Sequence, residues 1–183
     1  MTPAAPVLLL VDLQQGFEEL ATRSARNNPE AEANAAQLLK RWRERGWPVI
    51  HVRHDSTEPV SVFRPERPGN RVMGFAAELP GEPVLRKRVN SAFIGTDLAD
   101  RISALGGPEV VVAGATTDHC VSTTVRMGAN LGFRMVLADD ACFTFARTGR
   151  DGAIISADDM HAAHVASLSG EFARVVSTKS LLT

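Results

Sequence analysis

Val7-Leu8-Leu9-Leu10-Val11 is an uninterrupted apolar run, and the chain turns polar directly after it at Asp12. A strand with one buried face alternates apolar and polar residues, whereas a continuous apolar run predicts a strand covered on both faces. An amphipathic segment follows at 31–45, and it ends before Gly46, where a helix favours glycine at its C-terminus. The first fifty residues therefore predict a buried strand followed by a helix.

The same alternation continues along the chain. Further strands are predicted at 48–52, 84–85, 109–113, 133–138 and 175–178, and further helices at 97–105 (with Thr96 as N-cap), 118–131 and 157–172. Repeated strand–helix alternation is typical of a parallel sheet with helices on both faces. The predicted fold class is α/β: a single-domain, three-layer α/β/α sandwich over residues 1–183 with a mostly parallel, doubly wound sheet.

Composition excludes several classes of function. The 183 residues include 20 Lys and Arg against 21 Asp and Glu, so the formal net charge is −1, and the sequence has no run of five like charges. This balance argues against a nucleic-acid or membrane-surface partner. No apolar run approaches the roughly 18 residues of a membrane span, and no basic region precedes Val7 as in a signal peptide. With Cys120 and Cys142 as its only cysteines, the chain is expected to be cytoplasmic.

Three reactive side chains follow three different predicted strands. Asp12 follows the first strand, Lys87 follows 84–85, and Cys120 lies in the first turn of the helix after 109–113. Ligands of open parallel sheets bind at the carboxyl ends of the strands, so the three groups are expected at one edge. A cation and a helix N-terminus both favour a thiolate, and a carboxylate can move the proton. Taken singly, each residue also has an ordinary structural explanation.

Three motifs make the catalytic interpretation more specific. They are Val11-Asp12-Leu13-Gln14-Gln15-Gly16-Phe17, Lys87-Arg88-Val89-Asn90-Ser91-Ala92-Phe93 and Gly114-Ala115-Thr116-Thr117-Asp118-His119-Cys120-Val121. In order and spacing they resemble the motifs of the isochorismatase-like (cysteine hydrolase) family. The resemblance runs from Val7 to about Leu182.

The resemblance implies an activity and a set of roles. It implies a catalytic triad of Asp12, Lys87 and Cys120 that hydrolyses a C–N bond of a small amide or ureide through a covalent acyl-enzyme. It also implies a cis peptide bond between Ala115 and Thr116, which would direct the Thr116 N–H toward the site beside the Cys120 N–H as an oxyanion hole. A small-molecule amide substrate and a homo-oligomer, dimer or tetramer, are expected with it.

Departures from the family pattern narrow the chemistry. Metal-dependent nicotinamidases of this superfamily carry Asp-x-His and a further His after the second strand, whereas this chain has His51, His54 and Asp55 in a different order. We therefore expect no metal and no cofactor. Isochorismatases that cleave a vinyl ether lack the cysteine, so Cys120 favours amide chemistry. Vinyl-ether hydrolysis and a non-catalytic ligand-binding protein on the same fold stay as alternatives.

The remaining candidates concern the walls of the site. Phe17, Phe93 and His119 belong to the motifs and are predicted to bind substrate, although two core aromatics and a helix-surface histidine would give the same sequence. The long segment 53–82 is predicted to be a lid or an interface arm. Three further groups have both a functional and an ordinary explanation. The loop arginines Arg64, Arg67 and Arg71 could bind a carboxylate or be solvated charges. Cys142 is a packed residue or a resolving thiol, and His161 with His164 lies on a helix surface or an oligomer interface.

Overall fold

The computed structural model describes residues 4–183, and its centre is the parallel sheet that the apolar runs predict. The six strands of this sheet are β1 (Val7–Val11), β2 (Val49–His54), β3 (Val84–Lys87), β4 (Glu109–Ala115), β5 (Arg134–Phe143) and β8 (Arg174–Val176). They lie in the order β3-β2-β1-β4-β5-β8, and every neighbouring pair is parallel. Two short strands, β6 (Arg147–Thr148) and β7 (Ile154–Ile155), form a separate antiparallel hairpin.

Helices cover both faces of the sheet. They are α1 (Gly16–Ala21), α2 (Ala31–Glu44), α3 (Leu98–Ala104), α4 (Ser122–Asn130), α5 (Ala157–Leu168) and α6 (Thr178–Leu182). Side chains of α1, α2 and α6 belong to one hydrophobic core, and those of α3, α4 and α5 belong to the other. The predicted three-layer, doubly wound α/β fold is therefore confirmed. Between residues 4 and 183, no helix is long and apolar enough to cross a membrane.

The first strand shows why its sequence is apolar throughout. Leu8 and Leu10 enter the core on the α2 side, whereas Val7, Leu9 and Val11 enter the core on the α3 side. All five residues are at most 2% exposed. Because successive side chains of a strand point to opposite faces, a strand covered by helices on both faces needs apolar residues at every position.

The order of the strands determines where a ligand site can form. After β1 the chain builds β2 and β3 on one side, and then crosses over to β4, β5 and β8 on the other. The carboxyl ends of β1 and β4 therefore flank the crevice in which open α/β sheets bind ligands. Gly114, in β4, has φ +133°, and a Cβ there would lie 2.0 Å from the Val11 carbonyl oxygen, so the two strands approach closely only because the residue is glycine.

Several elements differ from their predicted limits. The predicted helix 118–131 begins as a π-helical turn, Thr117–Val121, and continues as α4. The predicted helix 157–172 ends at Leu168, whose carbonyl accepts the N–H groups of both Phe172 and Ala173. The helix predicted at 97–105 spans only Leu98–Ala104, and its N-cap is Asp97, although the Thr96 hydroxyl accepts the Leu98 N–H at 3.3 Å.

Two helices and a hairpin were not predicted from the sequence. The predicted closing strand 175–178 ends at Val176, because the Asp140 carboxylate accepts both the N–H and the hydroxyl of Thr178 at 2.7 Å and holds the start of α6. The short helix α1 and the β6–β7 hairpin have no periodic apolar pattern, and they are held by tertiary contacts.

Candidate active site

The structure brings the three predicted reactive groups together. Nζ of Lys87 lies 2.6 Å from Oδ2 of Asp12 and 3.2 Å from Sγ of Cys120. Lys87 and Asp12 are 1% and 2% exposed, and Cys120 is partly exposed. A buried ammonium thus contacts both a carboxylate and a thiol at the edge of the sheet where ligands are expected.

Each of these side chains reaches the site in a different way. Asp12 directly follows β1 and has φ +53°, in the left-handed region. Lys87 is the last residue of β3 and pairs in register with His54 of β2, so its side chain reaches past β2 to meet Asp12. Cys120 lies in the π-helical turn that follows β4. The path of the Lys87 side chain past β2 depends on the order of the strands, so the local sequence does not predict it.

His54 and Gln14 are site residues that the sequence did not identify in these roles. Nδ1 of His54 lies 3.3 Å from Nζ of Lys87. Burial lowers the pKa of His54, and the Lys87 charge lowers it further, so the imidazole is neutral and can accept a hydrogen bond from the ammonium. The buried Gln14 amide donates to the His54 carbonyl at 3.1 Å and accepts the His54 N–H at 2.8 Å. Its position two residues after Asp12, within the first motif, was the only signal.

The ligand atoms of Asp12, His54 and Cys120 lie within 4.8 Å of one another, which is a spacing that could hold a metal ion. The Lys87 ammonium, however, lies within 3.3 Å of an atom of each of the three and already supplies the positive charge. A divalent cation would meet this ammonium at close range, so the residues do not fit a metal.

The other candidate metal ligands of the sequence point elsewhere. Nε2 of His51 lies 2.9 Å from Oε2 of Glu82, and the carboxylate of Asp55 accepts from Arg86 at 2.8 Å. Within residues 4–183, His51, His54 and Asp55 do not converge on a common point.

The protonation state of Cys120 differs from the sequence expectation of a thiolate. Burial raises the pKa of Cys120 to about 12, and the Asp12 carboxylate acts in the same direction. The Lys87 ammonium lowers the pKa but does not outweigh these two effects. At neutral pH the group is therefore a thiol rather than a thiolate. Sγ lies 3.7 Å from Oδ1 of Asn90 and within 4.8 Å of a carboxylate oxygen of Asp12. Oδ1 of Asp12 is buried and has no hydrogen-bond partner within the described chain.

Thr116 and Cys120 line one side of the site. The peptide bond between Ala115 and Thr116 is cis. Over residues 4–183, the Thr116 N–H donates no backbone hydrogen bond, whereas the Thr116 carbonyl accepts from both His119 and Val121. Both Thr116 and Cys120 border the same cavity. An N–H donor without a partner next to the thiol suits a developing oxyanion.

The cavity above Cys120 has a volume of about 200 Å³. Its apolar lining consists of Phe17, Leu20, Phe63 and Phe145. Its polar lining consists of Asp12, Gln14, His54, Asn90, Thr116, His119, Cys120 and Arg147. Phe17 and His119 both line this cavity, and their binding of substrate stays a prediction. The prediction for Phe93 needs correction, since Phe93 does not line this cavity and its ring stacks on Phe133 with centroids 5.6 Å apart.

The long segment 53–82 supplies a wall of the cavity. It contributes Phe63, whose ring lies 4.6 Å from that of Phe17 between centroids. The buried Asn70 amide holds this wall by donating to the carbonyls of His54 and Phe63 at 3.0 and 2.8 Å. None of the loop arginines Arg64, Arg67 and Arg71 lines the cavity; the arginine that does is Arg147 of β6.

The remaining candidates lie away from the thiol. Cys142 is fully buried in the α3-side core, and burial raises its pKa, so it is a packed residue rather than a reactive one. Nδ1 of His161 lies 2.9 Å from the Thr117 hydroxyl, so His161 supports the turn that carries Cys120 and is only partly on the helix surface. His164 is partly exposed on the same helix, one turn later.

Comparison with known proteins shows the family to which the chain belongs. A model of the isochorismatase domain matches residues 6–180. The chain belongs to the isochorismatase family of hydrolases. This isochorismatase family member is 38% identical to the uncharacterised family protein YrdC of Bacillus subtilis, over 96% of this chain and 93% of that protein.

Two further relatives have a solved structure and a named activity of their own, respectively. A crystal structure from Chromobacterium violaceum, assigned to the hydrolases of the isochorismatase family, is 46% identical with a TM-score of 0.94, covering 100% of this chain and 94% of that chain. The maleamate amidohydrolase of Pseudomonas putida is 31% identical over 72% of this chain and 69% of its own length.

Proposed function

We propose that the protein is a cysteine-dependent, metal-independent hydrolase that cleaves the C–N bond of a small amide or ureide through a covalent acyl-enzyme. The observation that carries the proposal is the position of Cys120 against a carboxylate whose two oxygens have different environments. Oδ2 of Asp12 is held by Lys87 at 2.6 Å, and Oδ1 is buried without a partner. One oxygen is thus held in place and the other is free to receive a proton.

The acylation step follows from this arrangement. Sγ of Cys120 attacks the amide carbonyl carbon while its proton passes to Oδ1 of Asp12, which agrees with the raised pKa of the thiol. A C–S bond forms and the carbonyl π electrons move to oxygen. When the tetrahedral intermediate collapses, the C–N bond breaks and the amine leaves with the proton from Asp12. Lys87 pairs with the Asp12 carboxylate at the start of the step and orients it.

Hydrolysis of the acyl-enzyme reverses these roles. Asp12 takes a proton from water, the water oxygen attacks the thioester carbonyl, and the released sulfur regains its proton as the carboxylic acid forms. In both steps the oxyanion is proposed to accept hydrogen bonds from the N–H groups of Thr116 and Cys120. Removing one such donor typically lowers kcat by about 100- to 1,000-fold. The maleamate amidohydrolase among the relatives supports C–N cleavage as the class of reaction.

The proposal is tested by intact-mass spectrometry and an ammonia assay on a panel of small amides and ureas. The wild-type protein should release ammonia and show an acyl adduct, and Cys120→Ala should show neither while keeping its unfolding temperature. Cys142→Ala is the matched control, because it removes the other thiol and should retain turnover. Equal turnover by the wild type and Cys120→Ala would refute the nucleophile. Turnover of a vinyl ether but of no amide would instead favour the ether-cleaving alternative.

A further inference from the structure

We propose that the substrate is an uncharged amide with an apolar, flat acyl group of about one ring, selected by Phe17, Phe63 and Phe145. This inference rests on the hydrolase activity proposed above and adds the class of substrate. Two independent features of the cavity support it, namely its aromatic walls and the pairing of its charges.

The walls come from three separate parts of the chain. Phe17 belongs to α1, Phe63 to segment 53–82, and Phe145 follows β5. The Phe17 ring lies 4.6 Å from that of Phe63 and 6.1 Å from that of Phe145 between centroids. The two contacts with Phe17 join the three rings into one aromatic cluster that lines the cavity, and Leu20 completes the apolar lining. Aromatic faces arranged in this way favour a planar apolar group.

Each charged group of the site already has a partner of opposite charge. Lys87 is paired with Asp12 at 2.6 Å. Nε of Arg147 lies 2.8 Å from Oδ2 of Asp118, a carboxylate that is 3% exposed and also accepts a hydrogen bond from Thr144. A substrate carboxylate would therefore enter the cavity without an uncompensated cation to receive it, and burying an unpaired charge is unfavourable.

The two histidines that line the cavity, His54 and His119, add no positive charge to it. His54 is neutral for the reasons given above. Burial also lowers the pKa of His119, with Arg147 acting in the same direction and Asp118 opposing, so His119 is uncharged at neutral pH. The polar groups that remain are suited to hydrogen bonding with an amide rather than to neutralising an acid.

The volume limits the size of the acyl group. A cavity of about 200 Å³ is smaller than the roughly 300 to 1,000 Å³ of pockets that hold drug-sized ligands. One ring with its carboxamide matches this space better than a fused ring system does.

The test compares nitrobenzamides with carbamoylbenzoates that carry their substituent at the same ring position. Nitro and carboxylate groups are both planar and of similar size, so the two compounds of each pair differ mainly in the negative charge of the carboxylate. We expect kcat/KM to favour the nitro compound by about 100-fold, because the anion is left unpaired. Benzamide should exceed acetamide by about 10- to 100-fold, because only benzamide fills the aromatic walls.

Variants identify the residues responsible. Phe63→Ala and Phe145→Ala should lower kcat/KM for benzamide by about 10-fold or more, with a smaller change for acetamide, since they remove apolar contacts. Phe133→Leu, on the other face of the sheet, is the matched control and should change neither. A preference for the carboxylated amide that disappears in Arg147→Gln would overturn the inference and assign Arg147 as an anion receptor.

Binding to Cys120→Ala, measured by calorimetry, separates this inference from the hydrolase proposal. If no amide is turned over but benzamide binds and 3-carbamoylbenzoate does not, the hydrolase proposal fails and the ligand class stands. If the wild type turns over amides without preference for apolar acyl groups, the hydrolase proposal stands and the inference is wrong.

Discussion

The ammonium of Lys87 and the carboxylate of Asp12 form an ion pair of 2.6 Å in which both side chains are almost completely buried. An ion pair in such surroundings stabilises a fold only while both partners are present, because either charge alone is left in a medium of low polarity. The pair therefore couples the stability of the protein to its proposed chemistry.

Lys87→Met should destabilise the protein by about 3–5 kcal/mol, because it leaves the Asp12 carboxylate buried without its partner. The double variant Lys87→Met/Asp12→Asn should recover much of this loss, since no charge then remains buried and asparagine tolerates the left-handed backbone at this position. Urea unfolding of the two single variants and the double variant measures the coupling. Additive losses in the double variant would contradict the prediction. Both single variants should lack hydrolase activity.

Alkylation of Cys120 by iodoacetamide should be slow at pH 7 and should rise about 10-fold per pH unit up to pH 9, because the pKa of the thiol is raised to about 12. In Asp12→Asn the labelling at pH 7 should be faster, since the carboxylate that raises the pKa is gone and the Lys87 cation remains. Cys142→Ala provides a background with a single thiol for these rates. A plateau of the rate below pH 8 would show that the wild-type thiol ionises more easily than we infer.

Gly69→Ala should displace the wall that carries Phe63. A Cβ at Gly69 would lie 2.6 Å from the Val62 carbonyl oxygen and 2.9 Å from Cα of Gly16, so backbone must move. We expect a loss of about 1–3 kcal/mol in stability from this overpacking and a lower kcat/KM for apolar amides. Gly74→Ala is the control, because a Cβ there meets no atom within 4 Å. Equal effects of the two substitutions would contradict close packing at Gly69.

The partly buried Glu82 should make the stability of the protein depend on pH. Burial opposes its ionisation, but hydrogen bonds from Arg43, the Leu79 N–H and His51 outweigh burial and lower the pKa from 4.5 to about 2. Because the folded-state pKa is depressed, the stabilisation is fully present above pH 4.5 and is lost as the pH falls from about 4.5 to 2. Its size is about 1–3 kcal/mol, because the carboxylate is only partly buried and water screens its interactions with Arg43 and His51.

Urea unfolding at several pH values measures this dependence. Glu82→Gln should be less stable than the wild type at pH 7 and should lose less stability between pH 4.5 and 2. Glu66→Gln changes an exposed glutamate whose ion pair, among residues 4–183, is with Arg64. It should follow the wild-type pH profile closely, because water screens an exposed ion pair. Parallel pH profiles for the wild type and Glu82→Gln would refute the depressed pKa.

The amino-acid sequence is sufficient to predict the layered fold and the three reactive side chains of the candidate site, Asp12, Lys87 and Cys120. The run Val7–Val11 could only be buried on both faces, and repeated strand–helix alternation then required a parallel sheet. The carboxyl ends of parallel strands share one edge, so the positions of Asp12 and Cys120 at that edge follow from the order of the chain. These conclusions depend on local periodicity and on chain order, which the sequence displays directly.

The construction of the site and its surroundings, by contrast, depends on tertiary contacts. The reach of Lys87 past β2, the neutral state of His54 and the raised pKa of Cys120 depend on burial and on neighbours remote in sequence. The same holds for the cavity, since Phe93 carries a motif but faces Phe133, whereas Phe63 and Phe145 carry no motif and form the walls. Which side of a packed layer a side chain faces is fixed by contacts between distant segments, and local sequence does not encode those contacts.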